Sequence, residues 1–555
     1  MSRQDRLHYS GIYLDLVDRP WAVVRGEVKK WLADMGIVGP ADRPAWVGGA
    51  SIYEVQIGYS VFAGGYRYEP YPTVQDVRAD IGRIQELRFD TIQIMPRQPF
   101  PSYNVYDYSD ISTTYGEETV LRSVVEDCHG RGMRVILDLL MHGVIDREAV
   151  EATARAVREG PFAGRLEEDT GDGFTEDLAH DRQSISWSRH ILDFERYWTE
   201  GSVEHHPLID EHPEWFCRDS AGNVTGMYSK AFDVSDPGWH QYFLDSTLAL
   251  LRRLDLDGFR LDAPTYNWFP NWDKAKRNRA SRAPLAVLEL FRRLRREMKA
   301  EKPDAVLYTE PPGILFRQSA DIAYNYDEQW LFTSVIQPIG ELDDTRRVRT
   351  GKELAEWMRD RDCVLPSGSM TAHHVDSHDT FWWPLPGKKW RREQIGIDAT
   401  RAFVELFGLC GGPFMTFVGG EEGLEGTLAR VNLARGGRPE LAWGASVYEG
   451  VSSRSADVFL VMRHYHGRLA LVATNLSGRA VDDEINITLP YSGFDAALRC
   501  LAEATGDGNL FDLLAREGLS PLERTLRGFA VCMHFGPWQS RLVPLCPRAH
   551  AAAQG

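Results

Sequence analysis

The sequence lacks the features of a disulfide-stapled, membrane-spanning or leader-directed protein. Its seven cysteines are scattered and never form a Cys-x-x-Cys pair, so neither a disulfide framework nor a zinc site is expected. No apolar stretch reaches the roughly 18 residues that a membrane-spanning helix needs. The first residues, MSRQDRLHYSGIYLDLVDRPW, lack the apolar run of a signal peptide. Together these absences predict a cytoplasmic protein.

Positive charge is also in short supply. The chain carries 63 Lys and Arg against 80 Asp and Glu, a net charge of −17. Such a surface repels phosphates and anionic lipid, so neither nucleic acid nor a membrane is expected as the main partner. Aromatic residues reach 11%, with 16 Trp, a composition that suits a neutral, ring-shaped ligand such as a sugar.

Short apolar runs alternate with amphipathic patterns from about residue 50 onward. Eight runs are predicted as strands: Ile52–Ile57, Thr91–Met95, Arg134–Leu139, Gly258–Leu261, Ala305–Tyr308, Ile322–Tyr324, Met370–His374 and Pro413–Phe417. Four intervening segments have apolar residues at helical spacing: Val77–Leu87, Glu118–Arg131, Trp239–Arg253 and Leu285–Lys299. Eight such strands predict an α/β fold, a (β/α)8 TIM barrel. A doubly wound open sheet is the alternative.

The spacing of these runs also predicts the domain organisation. Because 118 residues separate Asp138 from Asp257, an inserted subdomain is expected after strand three. After about residue 430, strands at 458–463, 469–473 and 485–489 with period-two alternation predict a β-sandwich. The predicted segments are an N-terminal extension packing on the barrel (1–49), strands one to three (50–142), the insertion at the barrel mouth (143–256), strands four to eight (257–428), the C-terminal β-sandwich (429–548) and a flexible tail (549–555).

Polar residues stand at the C-terminal ends of several predicted strands, where barrel enzymes carry their catalytic groups. Arg260 and Asp262, in GFRLDA, lie two residues apart and therefore on one face of strand four. The other such residues are Asp138 after strand three, Glu310 in YTEPPG after strand five, and His378 and Asp379 in HHVDSHDT after strand seven. These acids are expected to surround one pocket.

Several carboxylates in one pocket are typical of glycoside cleavage. One carboxylate attacks or stabilises the anomeric carbon, and another protonates the leaving oxygen. Arg260 would keep Asp262 ionised and correctly oriented. Two alternatives stay open: the acids form separate salt bridges on the barrel rim, or they form a metal-dependent hydrolase site with His142 or His378. The metal hypothesis lacks a His-Glu-x-x-His motif.

Six segments, taken in order, resemble the conserved regions of glycoside hydrolase family 13, the α-amylase family. The resemblance covers about residues 50–425. The segments are YNVYDYSDISTTYG (103–116), GMRVILDLLMHG (132–143), GFRLDA (258–263), YTEPPG (308–313), VDSHDT (375–380) and GGPFMTFVGGEEG (411–423). The resemblance implies a retaining α-glycosidase acting on a carbohydrate such as an α-glucan, a maltooligosaccharide or an α-glucoside. It also implies the role of each matching residue: Asp262 as nucleophile, Glu310 as general acid/base, Asp379 as stabiliser of the transition state with His378 beside it, Arg260 as the residue that orients Asp262, and Tyr103 as an aromatic platform for the sugar.

The segment 132–143 and the residues that follow GFRLDA depart from the family pattern. In the segment 132–143, His142 replaces the usual Asn of the family, and Gly143 replaces its His. Since a hard cation prefers oxygen ligands to imidazole, a structural calcium ion is not expected there, and no metal or cofactor is predicted. His142 either substitutes for the lost sugar contact or packs at the rim. Tyr266 and Trp268 form either a stacking surface for the acceptor sugar or part of a loop core.

The departures leave the substrate open. Hydrolases and transglycosidases share their catalytic residues and differ in how well water is excluded. A maltosyl or glucosyl transferase with a phosphorylated donor is an alternative, since EHPEWF (211–216) is similar to a segment of such relatives. A non-catalytic sugar-binding protein on the same fold is another. The sequence predicts neither the linkage nor the oligomeric state.

Overall fold

The computed structural model describes most of the barrel and of the C-terminal domain. The described residues are 21–57, 60–62, 66–68, 70–95, 105–109, 118–141, 143–144, 206–218, 224, 230–262, 283–310, 314–324, 335–336, 348–378, 390–488, 509–526 and 528–545. All structural statements below concern these residues.

Eight parallel strands form a closed barrel. They are β1 (Ser51–Val55), β2 (Thr91–Ile94), β3 (Arg134–Leu139), β4 (Gly258–Leu261), β5 (Val306–Thr309), β6 (Ile322–Tyr324), β7 (Thr371–His374) and β8 (Phe414–Phe417). Neighbours in the chain are neighbours in the barrel, and β1 pairs with both β2 and β8. The predicted TIM barrel is therefore confirmed, with every strand end within two residues of its predicted position. An open doubly wound sheet is excluded because it would leave edge strands.

Helices lie between most of the barrel strands, as the amphipathic patterns predict, and also before β1 and after β8. The helices are α1 (Trp21–Asp34), α2 (Val74–Glu86), α3 (Glu118–Gly130), α4 (Pro207–Glu211), α5 (Pro237–Leu254), α6 (Ala283–Glu301), α7 (Gly351–Val364), α8 (Arg391–Ile395), α9 (Ile397–Leu409), α10 (Glu425–Gly436) and α11 (Pro439–Ala442). In α5, the Asp236 carboxylate accepts hydrogen bonds from the backbone N–H groups of Gly238 and Trp239 and so begins the helix. The four predicted helices end within three residues of the observed limits.

The barrel interior changes from apolar to polar along the strands. The apolar part is a buried cluster that includes Ile52, Ile136, Val306, Ile322, Ala372 and Met415. Two residues further along their strands, and therefore on the same face, lie Glu54, Asp138 and His374. The apolar layer holds the barrel together, and the polar layer lies at the C-terminal ends of the strands.

One glycine permits the close approach of β4 to β5. Gly258, the first residue of β4, has a φ of +152°. A Cβ atom there would lie 2.2 Å from the carbonyl oxygen of Val306. Any larger residue would push β4 away from β5, and these are the strands that carry Asp262 and Glu310.

The segment between β3 and β4 is described only in part. The pair Gly143–Val144 and Lys230–Ala231 forms a two-stranded antiparallel sheet, and the Tyr108 hydroxyl donates to the Gly143 carbonyl at 3.1 Å. Helix α5, which precedes β4, contacts α3 and α6 on the outside of the barrel. Most of the predicted insertion lies outside the described residues, so its boundaries stay a prediction.

The C-terminal domain contains two four-stranded antiparallel sheets. Its strands are β9 (Ala445–Val447), β10 (Val451–Ser452), β11 (Val458–Tyr465), β12 (Arg468–Asn475), β13 (Val481–Ile487), β14 (Asn509–Asp512), β15 (Glu517–Pro521), β16 (Glu523–Thr525), β17 (Gly528–Phe535) and β18 (Ser540–Pro544). One sheet has the order β9-β11-β12-β18, and the other β10-β13-β17-β16. Both sheets contribute to one hydrophobic cluster, which makes the domain a β-sandwich.

The predicted period-two alternation is wrong for β11. The strand is buried along most of its length, because both of its faces are covered. Leu460 and Met462 belong to the sandwich core, whereas Phe459 and Val461 pack into the hydrophobic core of the barrel. A strand covered on both faces has no polar side to reveal by alternation.

The described N-terminal segment packs on the barrel helices. Val28 and Leu32 of α1 form a small buried cluster with Val364 and Leu365 at the end of α7. In the described part of the chain, no helix is long and apolar enough to cross a bilayer.

Candidate active site

One guanidinium group links three carboxylates at the C-terminal end of the barrel. Arg260 is completely buried, and its Nη1 donates to Asp138 Oδ2 at 2.9 Å and to Asp262 Oδ1 at 2.6 Å. Its Nη2 lies 3.7 Å from Oε2 of Glu310. The barrel register explains this arrangement, because Asp138 on β3 stands directly beside Arg260 on β4.

The backbones of the two predicted catalytic acids are held by the barrel ladder. The Asp262 N–H donates to the Leu139 carbonyl at 2.9 Å, and the Glu310 N–H donates to the Leu261 carbonyl at 3.3 Å. Asp262 and Glu310 each expose 9% of their surface. They therefore lie on rigid elements, as a preorganised pair of reacting groups requires. The structure thus brings Asp138, Arg260, Asp262 and Glu310 together, as the sequence predicts.

Burial dominates the electrostatics of Asp138. Removal from water raises the pKa of its carboxyl group to about 6, against the opposing attraction of the charges on Arg260 and His378. Burial therefore favours the neutral form of this aspartate, which shares a buried guanidinium with the predicted nucleophile.

His378 lies at the same end of the barrel, directly after β7. Its Nδ1 atom is 2.7 Å from Oε1 of Glu54 at the end of β1. The Glu54 carboxylate also accepts a hydrogen bond from Nε2 of Gln93 on β2, at 3.0 Å. His378 therefore joins the polar layer through Glu54, and its charge also acts on Asp138.

The sequence analysis missed Glu54, Gln93 and His374. Each is a polar residue near the C-terminal end of a short apolar strand: Glu54 in SIYEV, Gln93 in TIQI and His374 in TAHH. In a buried strand, a polar residue on the inward face is expensive to bury unless it has a partner. A polar residue within a short apolar strand therefore indicates a buried polar site, and this pattern could have assigned the three residues to it.

His374 gives a pH dependence of stability that can be measured. Burial, together with the positive charges of Arg391 and neighbouring histidines, lowers its pKa to about 3. Below pH 6.5 the unfolded chain binds a proton here that the folded protein does not. His374 therefore costs no stability above pH 6.5, and it destabilises the fold as the pH falls towards 3.

Between pH 7 and pH 5, His374 should lower the free energy of unfolding of the wild type by about 2 kcal/mol. We expect His374→Asn to lack this loss and therefore to be less sensitive to the fall in pH. Urea unfolding of wild type and variant at both pH values measures this difference. His534→Asn, at an exposed histidine of the C-terminal domain, is the matched control and should keep the wild-type pH response. Equal responses of wild type and His374→Asn would contradict a neutral buried His374.

Five predicted site residues lie outside the described residues. They are Tyr103, His142, Tyr266, Trp268 and Asp379. Their roles therefore stay predictions, and so does the absence of calcium near His142. Among the residues that the structure describes, no three or more His, Cys, Asp or Glu side chains form a group that could hold a metal ion.

Comparisons with known proteins point to enzymes of α-glucan metabolism. No family model matches the chain. The 1,4-alpha-glucan branching enzyme of Salinibacter ruber is 21% identical over 409 residues, which cover 68% of this chain and 53% of that protein. The 4-alpha-glucanotransferase of Thermotoga maritima is 26% identical over 217 residues, or 37% of this chain and 42% of that protein. The chain spans about half the length of these curated relatives.

Solved structures share the fold over nearly the whole chain. The maltogenic alpha-amylase AmyB from Thermotoga neapolitana superposes with a TM-score of 0.60, covering 90% of this chain and 99% of its own. Its sequence identity is 15%, so the similarity establishes a common architecture of barrel and C-terminal β-domain.

Proposed function

We propose that this chain is a retaining α-glycosidase or α-transglycosidase of glycoside hydrolase family 13, the α-amylase family. Its substrates are α-glucans, maltooligosaccharides or α-glucosides. The observation that carries the proposal is the single buried guanidinium of Arg260, which contacts both Asp262 and Glu310. That contact holds a nucleophile and a proton donor at neighbouring strand ends, as double displacement at an anomeric carbon needs.

In the first proposed step, a carboxylate oxygen of Asp262 attacks the anomeric carbon. The bond from that carbon to the leaving oxygen breaks, and Glu310 transfers its proton to this oxygen. The product is a covalent β-glycosyl ester on Asp262. In the second step, water or an acceptor hydroxyl attacks the same carbon, its proton passes to Glu310, and the Asp262 carboxylate leaves. Two inversions give overall retention of the α configuration.

The other predicted residues take supporting roles in this proposal. Arg260 orients Asp262, and Asp138 anchors Arg260 from the neighbouring strand. Asp379 and His378 bind sugar hydroxyls, and Tyr103 supplies a stacking surface. Tyr266, Trp268 and His142 contact the sugars on either side of the cleaved bond. No step requires a metal ion.

Whether water or a sugar is the acceptor depends on how well the acceptor site excludes water. One of the two curated relatives named above, the 4-alpha-glucanotransferase, is a transferase by name, and the aromatic residues Tyr266 and Trp268 favour a sugar acceptor. We therefore propose transfer between α-glucan chains as the main reaction, with hydrolysis as a side reaction.

Product analysis tests this proposal. Wild-type protein is incubated with maltooligosaccharides, α-glucosides and glucosyl phosphates, and products are followed by chromatography and by NMR of the anomeric protons. We expect redistributed chain lengths with retained α configuration, and loss of both in Glu310→Gln. If free reducing sugar is the main product, the main reaction is hydrolysis and the proposal of transfer is wrong. Initial β-anomeric products, or full activity of Glu310→Gln, would overturn the proposed mechanism.

A further inference from the structure

The carboxylate of Glu54 is completely buried, and its position within the barrel is tightly specified. Its Oε1 atom lies 2.7 Å from Nδ1 of His378 and 3.0 Å from Nε2 of Gln93. Its Oε2 atom lies 3.4 Å from the backbone nitrogen of His378. These contacts come from β2 and from the segment after β7, so Glu54 on β1 links β2 to the segment after β7 at the C-terminal end of the barrel.

The hydrogen-bond chemistry fixes the proton on the imidazole. An ionised carboxylate can only accept hydrogen bonds, and the Gln93 amide nitrogen donates to the same Oε1 atom. Nδ1 of His378 must therefore carry the hydrogen that it shares with Glu54. This leaves Nε2, at the opposite side of the ring, to interact with another group.

We propose that Glu54 is a positioning residue that keeps the His378 imidazole protonated and fixed in orientation within the sugar-binding site. The effect on sugar binding rests on the proposed function, because that function expects His378, next to Asp379, to bind sugar hydroxyls. The link between Glu54 and His378 rests on the contacts alone.

The charges around the pair support a cationic His378. A buried carboxylate is stabilised by a nearby cation. Among the described residues that hydrogen-bond to Glu54, His378 is the one that can carry a positive charge. Arg260 is directed at Asp138, Asp262 and Glu310 instead. Among the described residues, other ionisable groups that act on Glu54 or His378 include Asp138, Tyr308 and His374, from β3, β5 and β7.

None of these other groups supplies a positive charge that could neutralise the Glu54 carboxylate. His374 has a lowered pKa and stays neutral, and burial keeps the Tyr308 phenol protonated. Asp138 adds a second negative charge whenever it is ionised. An imidazolium at His378 offsets this charge and is a hydrogen-bond donor at both ring nitrogens.

A histidine titration by NMR tests the link without requiring activity. Protein labelled with 13C at histidine Cε1 is titrated between pH 5 and pH 9, and the His378 signal is assigned by its loss in His378→Gln. We expect Glu54→Gln, which keeps the shape but removes the charge, to lower the titration midpoint of His378 by at least about one pH unit. Glu54→Asp, which keeps the charge, should shift it less, and Glu54→Ala serves if Glu54→Gln does not fold. A wild-type midpoint in Glu54→Gln, or in Glu54→Ala where that variant is used, would overturn the proposal.

Tyr53→Phe is the matched control. Tyr53 is the neighbouring residue on β1, and its buried hydroxyl donates to Glu421 at 2.6 Å. Removing this bond should cost stability and leave the His378 midpoint unchanged. A shift in Tyr53→Phe as large as that in Glu54→Gln would show a general loosening of β1 and contradict the assignment.

Kinetics then separate this inference from the proposed function. In Glu54→Gln we expect kcat/KM to fall about 10- to 100-fold at pH 8, as when the outer partner of a functional histidine is lost. The loss should be smaller at pH 5.5, where His378 regains its proton. In a His378→Gln background, Glu54→Gln should have no further effect. An equal loss in that background would contradict action through His378. A wild type inactive on every α-glucoside, with the NMR shift intact, would reject the proposed function and leave the positioning link in place.

Discussion

Replacement of Asp262 by asparagine is expected to abolish turnover, with kcat falling about 10⁴-fold or more. The proposed reaction needs a carboxylate oxygen that attacks the anomeric carbon and later leaves, and an amide does neither well. The side chain keeps its size, so the fold should stay intact. Initial rates on a maltooligosaccharide, with circular dichroism to verify folding, measure the effect.

Asp257→Asn is the matched control for this experiment. Asp257 precedes the same strand at its other end, is equally buried, and accepts hydrogen bonds from the backbone N–H of Val135 and from His129. Groups at the N-terminal end of a barrel strand serve stability, and those at the C-terminal end serve catalysis. We expect Asp257→Asn to lower the free energy of unfolding and leave kcat unchanged. Similar kcat in Asp262→Asn and wild type would remove the nucleophile assignment.

Replacement of Arg260 by methionine is expected to damage both stability and activity. It leaves the carboxylates of Asp138, Asp262 and Glu310 close together with no buried cation between them. Removing one partner of a buried ion pair costs about 3–5 kcal/mol, so a large fall in the urea midpoint is expected. Activity should fall as well, because Asp262 loses the group that orients it.

Two further variants separate these effects. The double variant Arg260→Met with Asp138→Asn removes one of the three carboxylates that lack a cation. It should recover part of the free energy of unfolding, while activity stays low. Arg435→Met removes another fully buried arginine, which donates to the carbonyls of Ala50, Gly408 and Gly412. That variant should lose stability but keep its kcat. If Arg260→Met kept the wild-type urea midpoint at neutral pH, the carboxylates would not depend on the guanidinium.

The sequence predicts the barrel well because its signals are local. Apolar runs of three to six residues define β1 to β8, and helical spacing of apolar residues defines α2, α3, α5 and α6. A two-residue period places Arg260 and Asp262 on one face of β4. Knowing that barrel strands carry catalytic groups at one end was then enough to bring Asp138 and Glu310 to the same site.

Burial from two sides is not visible in a local pattern. The sequence predicts alternation in β11, yet Phe459 and Leu460 are both buried. One faces the barrel and the other faces the sandwich, and only the packing of the two domains decides this. Apolar and polar residues alternate along a strand when one of its faces is buried and the other is exposed. The alternation disappears when both faces are buried.

By itself, the sequence determined which strands form, in which order, and which acids stand at their ends, since each depends on neighbouring residues. The tertiary structure decided how those ends are joined. Asp138 and Arg260 are 122 residues apart, and Glu54 and His378 are 324 residues apart. Contacts at such separations exist only because the barrel closes and stacks inward side chains at one level. Closure, and not any local pattern, therefore makes Glu54 a partner of His378.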